Sequence, residues 1–113
     1  MADAEQQTVA LEHANRVGLE AARLRHAIRA AGPSGGARLA AEAVLAGSSP
    51  MPFGKLLLAI PRVGSVHAEW WLDQAEIAEQ ARVDSKFVSE RRRELLVGQL
   101  LAFADRAERW TAA

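Results

Sequence analysis

The chain has 113 residues, enough for one domain, and its 14 basic and 14 acidic residues leave no net charge. A neutral chain is unlike a general polyanion binder, and the lack of cysteine excludes disulfides and thiolate metal sites. No apolar run approaches the ~18 residues of a membrane span, and the start of the sequence is polar and acidic, so we expect a cytoplasmic protein.

A long amphipathic helix is predicted over residues 3–31. Small and apolar residues recur at alternating spacings of four and three along it, at Ala10, Ala14, Val17, Ala21, Leu24, Ile28 and Ala31. Gly32 and Pro33 then end the helix. Because this stripe is mostly alanine, we expect its first turns to dock loosely and to offer a surface for a protein partner or a second copy of the chain.

Four shorter helices are predicted after this one. Residues 33–36 are predicted to form a loop, followed by a helix that ends near Gly47 and by a second helix over residues 55–60. A third helix covers residues 65–78, residues 82–88 form a loop, and Ser89 opens a last helix that runs to about residue 109. No segment alternates like a strand. We therefore predict an all-α fold of about five helices, with residues 1–32 as a separate long helix and residues 33–113 as a globular domain.

The turn between the second and third of these shorter helices carries the main functional signal. Pro61 ends the first helix, and Gly64 is predicted to allow a backbone conformation and a close approach that a Cβ would block. A helix, a Pro-x-Val-Gly turn and another helix present backbone amides and a helix N-terminus to phosphate in several nucleic-acid-binding folds. The turn is therefore predicted to contact a phosphodiester backbone, with an ordinary helix corner as the alternative.

Positive charge is also concentrated after the third shorter helix. Arg82 and Lys86 lie in the predicted loop, where an arginine can enter a narrow minor groove and sense its shape. The arginines at 91–93 follow at the start of the last helix, and a solvated helix face is the alternative for them. The complete predicted DNA-contact set is Arg62, Val63, Gly64, Ser65, His67, Arg82, Lys86, Arg91, Arg92 and Arg93.

The aromatic residues are assigned mainly to packing. Trp71 lies on the apolar stripe of its helix and is predicted to be in the core. Trp70 points about 100° away, so it is either half-buried under the long helix or exposed, with a partner contact or base stacking as alternatives. Phe87 and Trp110 are predicted to be packing residues.

An enzymatic function is not expected from this sequence. His13, His26 and His67 lie on three separate segments, and none forms a known metal motif with a neighbour. Glu69 and Asp73 share a helix face, which is more typical of a solvated acidic surface than of acid–base catalysis. No metal and no cofactor is predicted.

Residues 51–78 resemble the core of the actinobacterial integration host factor family, which are small bacterial nucleoid-associated proteins. The likeness is carried by Ile60, Pro61, Val63, Gly64, Val66, Ala68, Glu76 and Ile77. The resemblance implies a helix–two-turns–helix domain beside a long N-terminal helix, and sequence-tolerant binding of double-stranded DNA in the nucleoid. It also implies that Arg62 and His67 replace lysines of the family and that Arg82 falls in an arginine-rich loop.

The chain departs from the family pattern at several charged positions. Asp84 stands where the family has an arginine, Ser65 stands where it has a lysine, and the whole chain is neutral. These differences imply weaker DNA binding. The alternative function is a protein-interaction or self-associating module of the same fold, and RNA binding is a third hypothesis.

Overall fold

The structure, a computed structural model, describes residues 2–112, with the side chains of residues 11–12 and 15–110. It contains five helices and, in that range, no strand: α1 (Ala2–Ala30), α2 (Gly32–Ala46), α3 (Phe53–Leu58), α4 (Ser65–Ala75) and α5 (Glu90–Ala112). The all-α prediction is confirmed. None of the helices described combines the length and apolar content needed to cross a bilayer.

The core is formed where α2, α3, α4 and α5 meet. Trp71 is 1% exposed, as predicted, and lies on the inner face of α4 with Leu72 and Ala75. The buried side chains of the neighbouring helices include Ala40 and Val44 from α2, Phe53, Leu56 and Leu57 from α3, and Leu96, Leu100 and Phe103 from α5. Their helical spacing explains why each of these segments folds as a helix with one buried side.

Helix α1 docks on this core through its last turns. Ile28 is fully buried, and Ala21 and Leu24 pack against the core with part of their surface exposed. Further from the core, Leu11 and Leu19 are exposed. The side chains of Ala10, His13 and Ala14 lie outside the described residues. Of the stripe predicted from Ala10 to Ala31, the part from Ala21 to Ile28 therefore packs against the core.

The α1–α2 corner differs from the prediction, because residues 33–36 are helical. Pro33 lies in the first turn of α2, where proline is tolerated since the first amides of a helix have no partner within it. Gly32 takes the left-handed backbone that ends α1, with φ 78°. A Cβ on Gly36 would lie 2.5 Å from the carbonyl oxygen of Ile28. The glycines allow the two helices to approach closely, and they do not form a loop.

A short backbone pairing closes α3, the turn and α4 into one unit. The amide of Phe53 donates to the carbonyl of Ala81 at 2.9 Å, and the amide of Val83 donates to the carbonyl of Met51 at 2.9 Å. Pro52 and Arg82 thereby form an isolated antiparallel bridge. Helix α4 ends at Ala75, three residues before the predicted end, because Glu76 adopts a left-handed conformation (φ 57°). Helix α3 likewise begins and ends two residues before its predicted bounds.

Exposed ion pairs join α2 to α5. Arg38 donates to Asp105 at 2.9 Å and to Glu108 at 2.7 Å, and the hydroxyl of Ser34 donates to Glu108 at 3.3 Å. The bonds to Glu108 and then to Asp105 raise the pKa of the Arg38 guanidinium above its ordinary value. Arg38 is thus part of the scaffold and is not free for a ligand.

Candidate nucleic-acid interface

The turn between α3 and α4 has its unusual backbone at a different residue from the one predicted. Arg62 adopts a left-handed conformation with φ 70°, whereas Gly64 is extended with φ −92° and ψ 176°. A Cβ on Gly64 would meet no atom within 4 Å. Gly64 therefore does not adopt the special backbone conformation predicted for it, and no described residue makes the predicted close approach; approach by a ligand stays a prediction. Glycine here leaves open space beside an exposed backbone instead.

The N-terminus of α4 presents unpaired amides to this open space. The carbonyl of Gly64 accepts the amide of Ala68 at 3.0 Å, and no side chain caps the helix. Within the part of the chain that the structure describes, the amides of Ser65, Val66 and His67 have no acceptor. Residues 64–66 are exposed, while Val63 is buried and anchors the turn. Such a helix start can accept an anion, because its amides and its dipole both favour negative charge.

The two basic residues of the turn contact an aromatic cluster. The Arg62 guanidinium lies over Trp110, with Cζ 5.6 Å from the ring centroid. The His67 ring packs on Trp71 at a centroid distance of 4.1 Å and meets the edge of Phe103 at 5.8 Å. His67 is half-buried in this cluster, whereas Arg62 stays exposed. Arg62 can therefore still reach an anion, and His67 contributes mainly to packing.

The predicted loop residues divide into paired and free cations. Arg82 makes a two-pronged bond to Asp84, with Nε–Oδ1 at 3.0 Å and Nη2–Oδ2 at 2.8 Å. Lys86, Arg91 and Arg92 are exposed, and none of them has an ion-pair partner among the described residues. The charge of Arg82 is thus offset by Asp84, and Lys86, Arg91 and Arg92 are the cations available in this region.

Arg93 has a structural role that the sequence did not indicate. Its guanidinium donates to three backbone carbonyls, those of Val44 at 3.2 Å, Ser85 at 2.8 Å and Val88 at 3.3 Å. It also lies over the ring of Phe53, with Cζ 5.6 Å from the centroid. These bonds fix the loop after α4 to the end of α2. They leave little of the guanidinium free for a ligand.

The predicted set is split between two ends of the fold. Arg62 contacts Trp110 near the end of α5, whereas Arg93 lies in the first turns of the same helix. Seventeen residues of α-helix separate Arg93 from Trp110, about 25 Å at 1.5 Å per residue. The turn with Arg62 and the loop region with Lys86, Arg91 and Arg92 are therefore separate surfaces, and they cannot hold the same phosphate group.

A basic groove between α1 and α3 contains residues that sequence reasoning missed. This groove, of about 430 Å³, has Arg25, His26 and Arg29 of α1 on one side and Lys55 of α3 on the other, and Ala22, Leu58 and Ala59 complete its lining. It has no acidic lining residue. Its three arginine and lysine residues have no ion-pair partner in the described ranges. Ala59 lies three residues before Arg62, so their Cα atoms are at most about 11 Å apart and this end of the groove lies near the turn.

The charge distribution along the chain could have revealed this groove. Between Glu20 and Glu69 there are six arginine or lysine residues and a single acid, Glu42, a net charge of +5. The rest of the chain carries the compensating −5. The overall neutrality therefore conceals a basic segment at residues 21–68, of which Arg25, Arg29 and Lys55 come together at the groove where α1 docks beside α3.

No cluster of histidine and carboxylate side chains suited to a metal ion occurs in the described part of the chain. Comparisons with protein-family models, with curated proteins and with solved structures find no match for this sequence. The resemblance to the actinobacterial integration host factor family therefore stays a prediction that rests on residues 51–78.

Proposed function

We propose that this protein is a DNA-binding protein that contacts the phosphodiester backbone of a duplex with little regard to sequence. The observation that carries the proposal is the acid-free groove with Arg25, Arg29 and Lys55, whose lining residue Ala59 lies three positions before Arg62 and six before Ser65, the first of the open amides. These groups are suited to phosphate oxygens, and none of them forms a pocket shaped for a base edge. Backbone contacts of this kind position a duplex without specifying its sequence.

The chemistry of these groups matches a repeated phosphate track better than a small ligand. Arginine can hold a phosphate through two parallel N–H bonds, and lysine attracts it as a point charge. The free amides at the start of a helix are a third kind of phosphate-binding group. The groove is open to solvent, so it would bury little of a drug-sized molecule. We propose no catalytic activity. We place the protein in the bacterial cytoplasm, on the nucleoid, as the family resemblance implies.

The direct test is a salt titration of duplex binding by fluorescence anisotropy. About five phosphate contacts predict that log affinity falls with log salt at a slope near −4.5. Unrelated duplexes of equal length should bind with similar affinity. No binding at about 50 mM salt, or a slope near zero, would contradict the proposal.

A matched pair of double variants locates the site. Arg25→Glu with Arg29→Glu changes the groove, and Arg91→Glu with Arg92→Glu makes the same change in net charge at the other end of the fold. All four residues are exposed and without ion pairs among the described residues, so both variants should fold. We expect the groove variant to lose more affinity than the variant at Arg91 and Arg92. A groove variant that binds within twofold of the wild type would remove the groove from the interface.

A protein-interaction function is the second candidate, and exposed apolar residues favour it. Val66 is 81% exposed and Trp70 is 56% exposed, and their spacing of four places them on one face of α4. Leu11 and Leu19 are exposed on α1 as well. Sedimentation velocity of the wild type, Leu19→Asp and Trp70→Asp would test self-association. A monomer in all three would exclude a homodimer through these surfaces.

A further inference from the structure

The loop after α4 holds a large aromatic side chain almost completely in solvent. Phe87 is 92% exposed, the highest value among the large apolar residues of the described chain. The packing role predicted for it is therefore wrong. By contrast, the neighbouring Val88 packs against the core and Ser85 is half-buried. At the tip of the loop, Lys86 and Phe87 are both exposed.

The tip is held in this position by bonds on both of its sides. Arg93 donates to the carbonyl of Ser85 at 2.8 Å and to the carbonyl of Val88 at 3.3 Å, so one guanidinium spans the two residues that flank the tip. The Phe87 amide donates to the hydroxyl of Ser85 at 3.2 Å. These hydrogen bonds hold the backbone on both sides of Phe87, so the loop conformation itself places the ring in solvent.

The surroundings of Phe87 favour nucleic acid as its partner. Lys86 is adjacent to it, and Arg91 and Arg92 follow within five residues, with Glu90 as the one acid between Lys86 and Arg93. An exposed aromatic ring among cations is the arrangement that stacks on bases in single strands and that wedges between base steps in bent duplexes. A pocket on a protein partner would not require this positive charge.

We infer that Phe87 is a base-stacking residue, which inserts its ring against a nucleobase while Lys86 and the nearby arginines hold the adjacent phosphates. The inference rests on the proposed function, since it requires that the chain binds nucleic acid. It adds a second contact at the opposite end of α5 from the turn. The base can come from a single strand or from an opened duplex step.

The test compares Phe87→Ala with Lys86→Ala on a single-stranded and a duplex probe, each carrying one 2-aminopurine. Phe87→Ala should bind roughly 5- to 100-fold more weakly with an unchanged salt slope, because a stacking contact releases no counterions. Lys86→Ala should make the slope shallower by about 1. Wild-type protein should change the 2-aminopurine emission, and Phe87→Ala should lose that change. Because the ring is exposed, removal should leave thermal stability unchanged.

Two further variants distinguish the sources of the base. Phe87→Trp should restore binding to both probes, because it keeps an aromatic face. Phe87→Leu should restore binding to the duplex alone, since leucine can wedge into a base step but cannot stack on a single strand. If Phe87→Ala binds both probes within twofold of wild type, the inference is overturned and the proposed function stands. If the wild type binds neither probe, both are overturned.

Discussion

Arg62 lies over the indole ring of Trp110, and this contact joins the turn between α3 and α4 to the end of α5. A cation over an aromatic ring contributes about 0.5–1 kcal/mol at an exposed site. The same residue has a left-handed backbone, which costs about 1–2 kcal/mol for a residue with a Cβ. The charge is therefore held beside the open amides of α4 by a side-chain contact that partly offsets backbone strain.

Replacement of Arg62 by glycine and by alanine separates these two effects. Both variants lose the contact with Trp110, but glycine also relieves the left-handed backbone. We expect Arg62→Gly to be more stable than Arg62→Ala by about 0.5–1 kcal/mol in urea unfolding. Ala102→Gly, in the exposed middle of α5, is the control and should be destabilised by about 1 kcal/mol. An alanine variant equal to or more stable than the glycine variant would contradict the left-handed conformation.

Gly64 and Gly36 are predicted to respond differently to alanine. Gly64→Ala places a methyl group in open space and restricts the unfolded chain, a gain of about 0.4–1 kcal/mol. Residue 64 is also the N-cap of α4, where alanine is less favourable than glycine by a similar amount, so stability should change by less than about 0.5 kcal/mol. Gly36→Ala forces α1 and α2 apart near Ile28 and should cost about 1–3 kcal/mol. Thermal or urea unfolding measures both. A Gly64→Ala variant destabilised by more than about 1 kcal/mol would show that the turn needs glycine.

If DNA approaches the turn, Gly64→Ala should weaken duplex binding although the stability of the protein is nearly unchanged. The added methyl group would stand between the amides at the start of α4 and a phosphate. Anisotropy with the same duplex measures this effect. Unchanged affinity in Gly64→Ala would place the phosphate contacts in the groove and not at the turn.

Arg93 is predicted to be a stability residue. Arg93→Ala removes three bonds from a charged donor and leaves three carbonyls unpaired, so we expect a loss of at least about 1.5–3 kcal/mol. Arg91→Ala, at an exposed position without a partner in the described chain, should change stability by less than about 0.5 kcal/mol. Arg93→Lys should recover only part of the loss, because an ammonium group cannot span all three carbonyls. Equal effects of Arg91→Ala and Arg93→Ala would contradict this role.

The ion pairs of Arg38 should stabilise the fold without pH dependence near neutrality. Their effect is to raise the pKa of Arg38, so this contribution is fully present below the ordinary arginine value and is lost only as the pH rises through the value in the folded state. Arg38→Gln should therefore be less stable than wild type by the same amount at pH 7 and pH 10. The difference should shrink in high salt, because the pairs are exposed. A difference that changes between pH 7 and pH 10 would contradict this assignment.

Sequence patterns predicted the helices well where apolar spacing was regular, and poorly where glycine and proline dominated. The spacing of Ala68, Trp71, Leu72 and Ala75 identified the inner face of α4, and Ser89 was placed correctly as the residue that opens α5, where its hydroxyl accepts the amide of Arg92 at 3.3 Å. The loop predicted over residues 33–36 was wrong, because glycine inside α2 permits a close helix–helix contact. Local composition does not reveal such a contact.

The candidate site was harder to predict, because the availability of a cation depends on its neighbours in space. Arg82 and Arg93 look alike in the sequence, yet one is paired with Asp84 and the other donates to three carbonyls. Arg25 and Lys55 were missed because they are 30 positions apart and meet only across the groove. The positive charge of residues 21–68 was visible in the sequence, but the docking of α1 beside α3, which brings Arg25, Arg29 and Lys55 together, was not.

The pairing of Pro52 with Arg82 has a mechanical consequence for the groove. It ties residues 51–83 into a closed ring of chain, so the turn and Lys55 are carried on one unit whose ends are fastened together. Arg25 and Arg29 belong to α1, which is held to the rest mainly by the packing around Ile28. The two walls of the groove thus belong to separate elements, and the packing of α1 around Ile28 sets the distance between them.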